Sequence, residues 1–341
     1  MKKVLFLLLS LVLVLSLNSA LMAGDVIKWK MQSAYPPGDA TYDVHSMEAV
    51  KLIESMSGGK VKIELFPPGA LCAVPEMANA VSQGMIDMAA VYGPFYAGSV
   101  PVGDVDGGLP FTWTSMDQVA ELYWDPKYRL IDVIRQGWDK KNVFYLVPNA
   151  CGSYPFLFKF PVNKLDELKG HKIRAAGAAA EWFRKAGASP VSLPGGEIYM
   201  AMKLGTIEGT PFPPMILETL KLKEVVDYII FPGFVTPPQT CIIINKDAWN
   251  ALPKDLREKL TNDVTLIDFY KANGKAYQAR DDQALETAYK AGIKKIVLPE
   301  EEMKKARTMA IEIWENVGKK DQYSGEAVDI LKRYMNDKNM M

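Results

Sequence analysis

The strongest constraint on the fold is an alternation of strand and helix patterns early in the chain. Apolar and polar residues alternate over 27–32 and again over 61–65, as in strands with one buried face. Between them, apolar residues at helical spacing over 49–56 precede a glycine pair at 58–59 that ends a helix. A second helix and a strand over 86–92 complete the series. Strands joined by helices predict a parallel sheet covered by helices.

The same alternation returns in the middle of the chain. Strand patterns are found over 143–147, 156–160, 171–175 and 190–193, with helical patterns over 178–186 and 197–204. A strand over 241–245 then leads into a mostly helical remainder. Because no Ser-, Gly- or Pro-rich linker separates the two parts, we expect two α/β lobes between which the chain passes more than once. Ligands of open α/β sheets bind beyond the carboxyl ends of the strands, which predicts a site in the cleft between the lobes.

The amino terminus has the parts of a secretory signal peptide. Lys2 and Lys3 precede an apolar run over 4–17, and small residues follow as far as Ala23. The apolar run is shorter than the roughly 20 residues that a membrane helix needs. We therefore expect residues 1–23 to be removed near Ala23 on export, with an uncleaved anchor helix as the alternative.

Charge and motif content give no support to several classes of function. The chain carries 40 Lys and Arg against 40 Asp and Glu, so its net charge predicts no binding to nucleic acid or to a membrane surface. It has no glycine-rich nucleotide fingerprint, no nucleophile elbow and no Cys-x-x-Cys pair, and its two histidines are His45 and His171. We expect no catalytic site and no cofactor. Cys72, Cys151 and Cys241 allow one disulfide, but we expect them to be mostly buried apolar residues.

Four segments in the middle of the chain carry a family pattern. They are Leu-Lys-Gly-His-Lys-Ile-Arg at 168–174, Gly-Ala-Ser-Pro-Val at 187–191, Pro-Gly-Gly-Glu-Ile-Tyr-Met-Ala-Met at 194–202 and Gly-Thr-Ile-Glu-Gly at 205–209. They resemble the DctP-type solute receptors of tripartite ATP-independent periplasmic (TRAP) transporters. Further segments agree in order, at residues 59–71, 84–88, 109–111, 244–246 and 249–253. The resemblance thus covers nearly all of the chain after the predicted signal peptide.

The resemblance implies a fold and a set of partners. The fold is a two-lobed periplasmic binding protein of the α/β class, with a ligand cleft between the lobes and a long bridging helix. Lobe I is predicted at 24–149 and about 237–275, and lobe II with the bridging helices at 150–236 and in the C-terminal helices to 341. The protein would be a periplasmic monomer that passes its ligand to the integral membrane subunits of a TRAP transporter.

Arg174 is the principal candidate for ligand binding. In the family that this chain resembles, the arginine at the end of the Lys-Ile-Arg strand pairs with the ligand carboxylate. The chemistry agrees, because a guanidinium stays charged and its planar fork matches a carboxylate through two hydrogen bonds. The alternative is a surface arginine in an ion pair at the end of a strand.

Phe212 and Tyr154 occupy positions at which relatives carry other ligand-binding residues. Phe212 stands where relatives place Asn or Trp, and it either stacks on the ligand or packs in the core. Pro211 replaces the acidic residue of the metal-binding relatives, so we predict no bound metal. Tyr154 stands where some relatives carry a second arginine; its hydroxyl can donate to a carboxylate but supplies no charge. A single arginine favours a monocarboxylate over a dicarboxylate.

Four further residues are weaker candidates for ligand contact. Tyr35, Tyr92 and Glu76 belong to segments that face the cleft in the family, with core or surface packing as the alternative. Trp182 follows Arg174 on a helix, where packing is the favoured interpretation.

The predicted ligand is a small organic acid with apolar or aromatic surface, and a sulfonate would satisfy the same arginine. The alternatives are a periplasmic enzyme on this scaffold and a receptor that serves a sensor kinase or an ATP-driven importer.

Overall fold

The computed structural model describes residues 26–193, 195–234 and 237–340. Its strands are β1 (Ile27–Ser33), β2 (Val61–Phe66), β3 (Met88–Val91), β4 (Val143–Ala150), β5 (Phe156–Phe158), β6 (Lys172–Arg174), β7 (Ser189–Val191), β8 (Gly209–Pro211), β9 (Tyr228–Phe231), β10 (Gln239–Asn245) and β11 (Lys294–Val297). The predicted signal peptide at 1–23, with its cleavage point at Ala23, lies outside the described residues.

The α-helices alternate with the strands and make up most of the C-terminal part. They are α1 (Met47–Met56), α2 (Met77–Ser82), α3 (Gly103–Asp106), α4 (Met116–Trp124), α5 (Leu130–Asp139), α6 (Gly177–Lys185), α7 (Ile198–Lys203), α8 (Ile216–Thr219), α9 (Lys246–Asn250), α10 (Lys254–Leu260), α11 (Asp263–Lys290), α12 (Glu300–Gly318) and α13 (Gln322–Asp337). Among the described residues, no helix combines the length and the apolar character that crossing a membrane requires.

The first sheet has the strand order β2-β1-β3-β10-β4. β1 pairs in parallel with β2 and with β3, as the alternation of strands and helices predicts. The sheet as a whole is mixed, however, because β10 lies between β3 and β4 and runs antiparallel to both. β10 returns from a distant part of the chain, and all seven of its residues are buried. Strand periodicity identifies such a strand but does not give its direction in the sheet.

The second sheet has the order β11-β9-β5-β8-β6-β7. The sequence predicts β5, β6 and β7, but it does not predict β8, β9 or β11. These strands have only three or four residues each, which is too short for a readable alternation. β5 runs antiparallel to β8 and β9, whereas β6 is parallel to both β7 and β8.

The long helix α11 connects the two halves of the molecule. Its first part places Leu266 and Tyr270 in the larger core, which contains strand residues of the first sheet and some of the second. Its second part places Tyr277 in the separate core beside the second sheet. Asp281, one turn further on, accepts a hydrogen bond from the backbone N–H of Met215 at 2.9 Å, just before α8. The structure therefore confirms the two-lobed α/β fold with a bridging helix.

The strands divide between the sheets in a way that is compatible with the predicted lobes. Strands of the first sheet lie within 27–150 and 239–245, and strands of the second lie within 156–231 and 294–297. The lobe limits themselves stay a prediction. The three cysteines are free thiols, with Cys151 and Cys241 buried and Cys72 half-buried.

Candidate functional site

A cavity of about 370 Å³ lies where the two sheets meet. Tyr35 and Tyr92 line it from the first sheet, Arg174 and Phe212 from the second, and Tyr277 from α11. Tyr35 and Tyr92 follow the parallel strands β1 and β3, while Arg174 ends β6 and Phe212 follows its parallel neighbour β8. Parallel strands end at the same edge of a sheet. Residues at or just after those ends therefore lie close together, which places each pair of side chains in the cavity wall.

Arg174 is buried, with 7% of its surface exposed. Its Nε donates to the backbone carbonyl of Leu193 at 3.2 Å, which fixes the guanidinium plane. None of the carboxylates in the described ranges lies within ion-pair distance of it. The alternative of a surface ion pair is therefore wrong, because the side chain is buried and lines the cavity. A buried guanidinium without a counter-ion is costly, so this position favours an anion from solution.

Phe212 and Tyr154 form an aromatic wall beside the arginine. The two rings stack with centroids 5.7 Å apart and planes inclined by 28°. The Arg174 guanidinium carbon lies 5.1 Å from the centroid of Phe212, within the range of a cation–π contact. Burial raises the pKa of Tyr154 to about 12, although the nearby Arg174 acts in the opposite direction. The Tyr154 hydroxyl is therefore uncharged at neutral pH and can donate a hydrogen bond.

Tyr35 and Tyr92 form the wall contributed by the first lobe. The ring of Tyr92 meets Phe95 edge to face at 5.3 Å, and Phe95 also lines the cavity. Burial raises the pKa of both tyrosines well above the ordinary value. Their hydroxyls are thus neutral groups that can donate or accept, set in a mostly apolar surface.

The sequence analysis missed several residues of the cavity, among them Asp39, Thr240 and Tyr277. Asp39 lies in the turn after β1, and a polar residue just beyond the carboxyl end of a parallel strand is a signal that could have identified it. Tyr277 and Thr240 gave no comparable signal, because they reach the cavity from a long helix and a central strand.

Comparison with known proteins shows the family to which the chain belongs. The model of the DctP family, described as bacterial extracellular solute-binding protein, family 7, matches residues 36–321. The chain belongs to this family. Its members are solute-binding receptors rather than enzymes, and the resemblance inferred from the sequence is thereby confirmed.

Individual relatives of this DctP-family protein match along most of their length. A monocarboxylate 2-oxoacid-binding periplasmic protein of Nostoc sp. is 26% identical over 308 residues, which cover 89% of this chain and 83% of that protein. A TRAP solute-binding protein of Pseudoalteromonas atlantica, solved with bound sodium and pyruvate, has a TM-score of 0.80 at 20% identity, covering 92% and 95% of the two chains. DctP7 of Bordetella pertussis, a receptor binding pyroglutamic acid, has a TM-score of 0.75 at 19% identity, covering 89% and 99%. The structural matches show the shared fold.

Two of the predicted site residues of this DctP-family protein lie outside the cavity lining. Trp182 is fully buried in the core, where its Nε1 donates to the carbonyl of Ala306 at 3.0 Å and its ring packs against Phe234. This position agrees with core packing, the interpretation that the sequence favoured, rather than with contact to the ligand. Glu76 is exposed at the end of a short 3-10 turn (Val74–Glu76), of which only Val74 lines the cavity.

His45 does not line the cavity but contacts two residues that do. Its Nε2 donates to the carbonyl of Ala150 at 3.1 Å, which leaves Nδ1 to accept from the Thr240 hydroxyl at 3.2 Å. Burial lowers the pKa of His45 to about 3, so the ring is neutral. It also stacks on Tyr277 at 5.3 Å. The ring thus positions two cavity residues and has no geometry for acid–base chemistry on a ligand.

No group of three or more His, Cys, Asp or Glu side chains in the described part of the chain is placed to hold a metal ion. Pro211, at the position of the family's acidic residue, is the last residue of β8 and is buried. The absence of a bound metal stays a prediction.

Proposed function

We propose that this protein is the receptor of a TRAP transporter and binds a small organic acid through an ion pair between Arg174 and the ligand carboxylate. The observation that carries the proposal is a buried arginine, with no counter-ion among the described residues, in a cavity whose lining is mostly apolar and aromatic. The family supplies the receptor class.

The geometry of Arg174 favours a carboxylate among anions. With Nε held by Leu193, the two terminal nitrogens form one edge of a planar fork. That edge matches the two oxygens of a carboxylate, and a sulfonate presents a similar edge. A charge-assisted hydrogen bond of this kind contributes about 1.5–3 kcal/mol. The Phe212 ring lies against the guanidinium and helps to hold it in place.

The remainder of the cavity favours one carboxylate per ligand. Arg174 is the one Lys or Arg among the described lining residues, and the position of a second arginine in some relatives is held here by Tyr154. Tyr35, Tyr92, Tyr154 and Phe212 would cover an apolar or aromatic body. A volume of about 370 Å³ is at the small end of ligand cavities.

The relatives support a small organic acid as the ligand, although malonate among their ligands has two carboxylates. Their names and bound compounds include monocarboxylate 2-oxoacids, pyruvate, pyroglutamic acid and malonate. Delivery to TRAP membrane subunits, a periplasmic location after removal of residues 1–23 and a monomeric state are parts of the same proposal.

A thermal-shift screen of the purified protein against small carboxylates and sulfonates tests the proposal. The proposal predicts that monocarboxylates with apolar surface raise the melting temperature, with a stabilisation that grows with ligand concentration above Kd. Mass analysis of the stabilising compound should recover it unchanged. A converted compound would favour the enzyme alternative. Stabilisation by dicarboxylates alone would contradict the predicted ligand class.

A further inference from the structure

A second charged residue lines the cavity, and the family comparison gives it no role. Asp39 is half-buried in the turn between β1 and the π-helical turn Thr41–Ser46. One carboxylate oxygen, Oδ1, accepts the backbone N–H of Thr41 at 2.7 Å. Among the described residues, no Lys, Arg or His forms an ion pair with it. Its neighbour Asp43, by contrast, pairs with Arg280 at 3.2 Å on the surface.

Asp39 and Arg174 line the same cavity but form no ion pair with each other. Arg174 is close enough to Tyr92 and Tyr154 to oppose the effect of burial on the pKa of both. Asp39 adds to the effect of burial and raises the pKa of Tyr35, Tyr154 and Tyr277. Tyr154 is thus close to both charges.

We propose that Asp39 accepts a hydrogen bond from a donor group of the ligand whose carboxylate pairs with Arg174. The donor would be a hydroxyl, an amide N–H or an ammonium group. A partly buried carboxylate among apolar side chains is costly in free energy unless it is hydrogen-bonded. On the cavity side, the neighbours of Asp39 are the mostly apolar residues of the lining. The preferred ligand then has one carboxylate, an apolar body and a hydrogen-bond donor separate from the carboxylate. This inference rests on the proposed function.

Matched pairs of ligands test the inference. Each pair shares one carboxylate and one carbon skeleton, and only one member carries a terminal donor: butyrate with 4-hydroxybutyrate, hexanoate with 6-hydroxyhexanoate, and phenylacetate with 4-hydroxyphenylacetate. Isothermal titration calorimetry gives the ratio of the two affinities for each pair. The wild-type protein should bind the donor-bearing member of at least one pair about tenfold more tightly.

The variants Asp39→Asn and Asp39→Ala separate a contact with the ligand from a role in the turn. Asn keeps an oxygen that can accept from Thr41 but removes the charge, so the affinity ratio should fall about fivefold. Ala removes the acceptor, so the ratio should approach one. A loosened turn would weaken both members of a pair equally and would leave the ratio unchanged. Asp43→Asn is the matched control, because it removes a carboxylate four residues away that does not line the cavity.

The outcomes distinguish this inference from the function on which it rests. If the parent carboxylates bind but no pair shows a preference for the donor, the inference about Asp39 is wrong and the proposed function stands. A preference that survives in Asp39→Ala overturns the inference in the same way. If no member of any pair binds, the proposed ligand class fails first, and the assignment of Asp39 fails with it.

Discussion

Replacing Asp281 by Asn is expected to stabilise the protein, and to do so more strongly as the pH rises. Asp281 is fully buried on the bridging helix α11. Its Oδ1 accepts the Met215 N–H, whereas Oδ2 has no hydrogen-bond partner among the described residues. Burial therefore raises the pKa of this carboxyl group from 3.8 to about 8. Asn keeps an oxygen for Met215 and cannot ionise.

The sign and size of the effect follow from proton binding. Between pH 3.8 and about 8, Asp281 is protonated in the folded protein and ionised in the unfolded chain. The folded state then binds more protons, so its stability falls as the pH rises, by up to about 1.4 kcal/mol per pH unit. At pH 7, about three pH units above the pKa of Asp281 in the unfolded chain, the loss of stability amounts to about 4 kcal/mol. The Asn variant avoids this loss, and near pH 4 its advantage should vanish.

Urea denaturation at pH 5, 6, 7 and 8 gives the measurement. The quantity of interest is the difference in the free energy of unfolding between Asp281→Asn and the wild type, in which other titrating groups cancel. It should grow steadily from pH 5 to 8. Asp268→Asn is the control, since this exposed carboxylate lies on the same helix thirteen residues before Asp281, and its difference should stay flat. A difference for Asp281→Asn that does not change with pH would refute the reasoning.

Three further predictions concern the crossover, the core and the cavity wall. Gly152→Ala would place a Cβ 1.5 Å from Oδ2 of Asp281, so we expect a loss of about 1–3 kcal/mol in unfolding experiments; an unchanged melting temperature would contradict the contact. Trp182→Ala should cost about 3–5 kcal/mol of stability while leaving the order of ligand affinities intact, and a changed order with normal stability would return Trp182 to the site. Tyr154→Phe removes a hydrogen-bond donor and should weaken carboxylate binding about fivefold in calorimetry; equal affinity would remove Tyr154 from the site.

Periodicity and turn residues predicted the strands and helices that depend mainly on interactions between residues close in sequence. Alternation over 27–32 and 61–65 predicted β1 and β2, and the helix between them ends before Gly58 and Gly59, both of which adopt positive φ angles. The antiparallel insertion of β10 was not predictable in this way, since a strand pattern carries no information about its neighbours. The short strands β8, β9 and β11 are stabilised by partners that are distant in sequence.

The candidate site was predictable only in part, for a related reason. Arg174, Phe212, Tyr154, Tyr35 and Tyr92 were found through a family resemblance, and all five line the cavity. For Trp182 the sequence left both core packing and ligand contact open, because a helix pattern does not show whether a side chain faces the core or the cavity. Tyr277 was missed because the bridging helix has no local feature that marks the turn facing the ligand.

The most direct test of the central claim is calorimetry of Arg174→Ala and Arg174→Lys with the carboxylate that stabilises the wild type most. Arg184→Ala, which removes an exposed arginine from α6, is the matched control. The account predicts normal binding by the control, no measurable binding by Arg174→Ala and weak binding by Arg174→Lys, because a point charge lacks the planar fork. Circular dichroism should show that both Arg174 variants remain folded. Binding by folded Arg174→Ala within a few-fold of the wild type would contradict the assignment of the site.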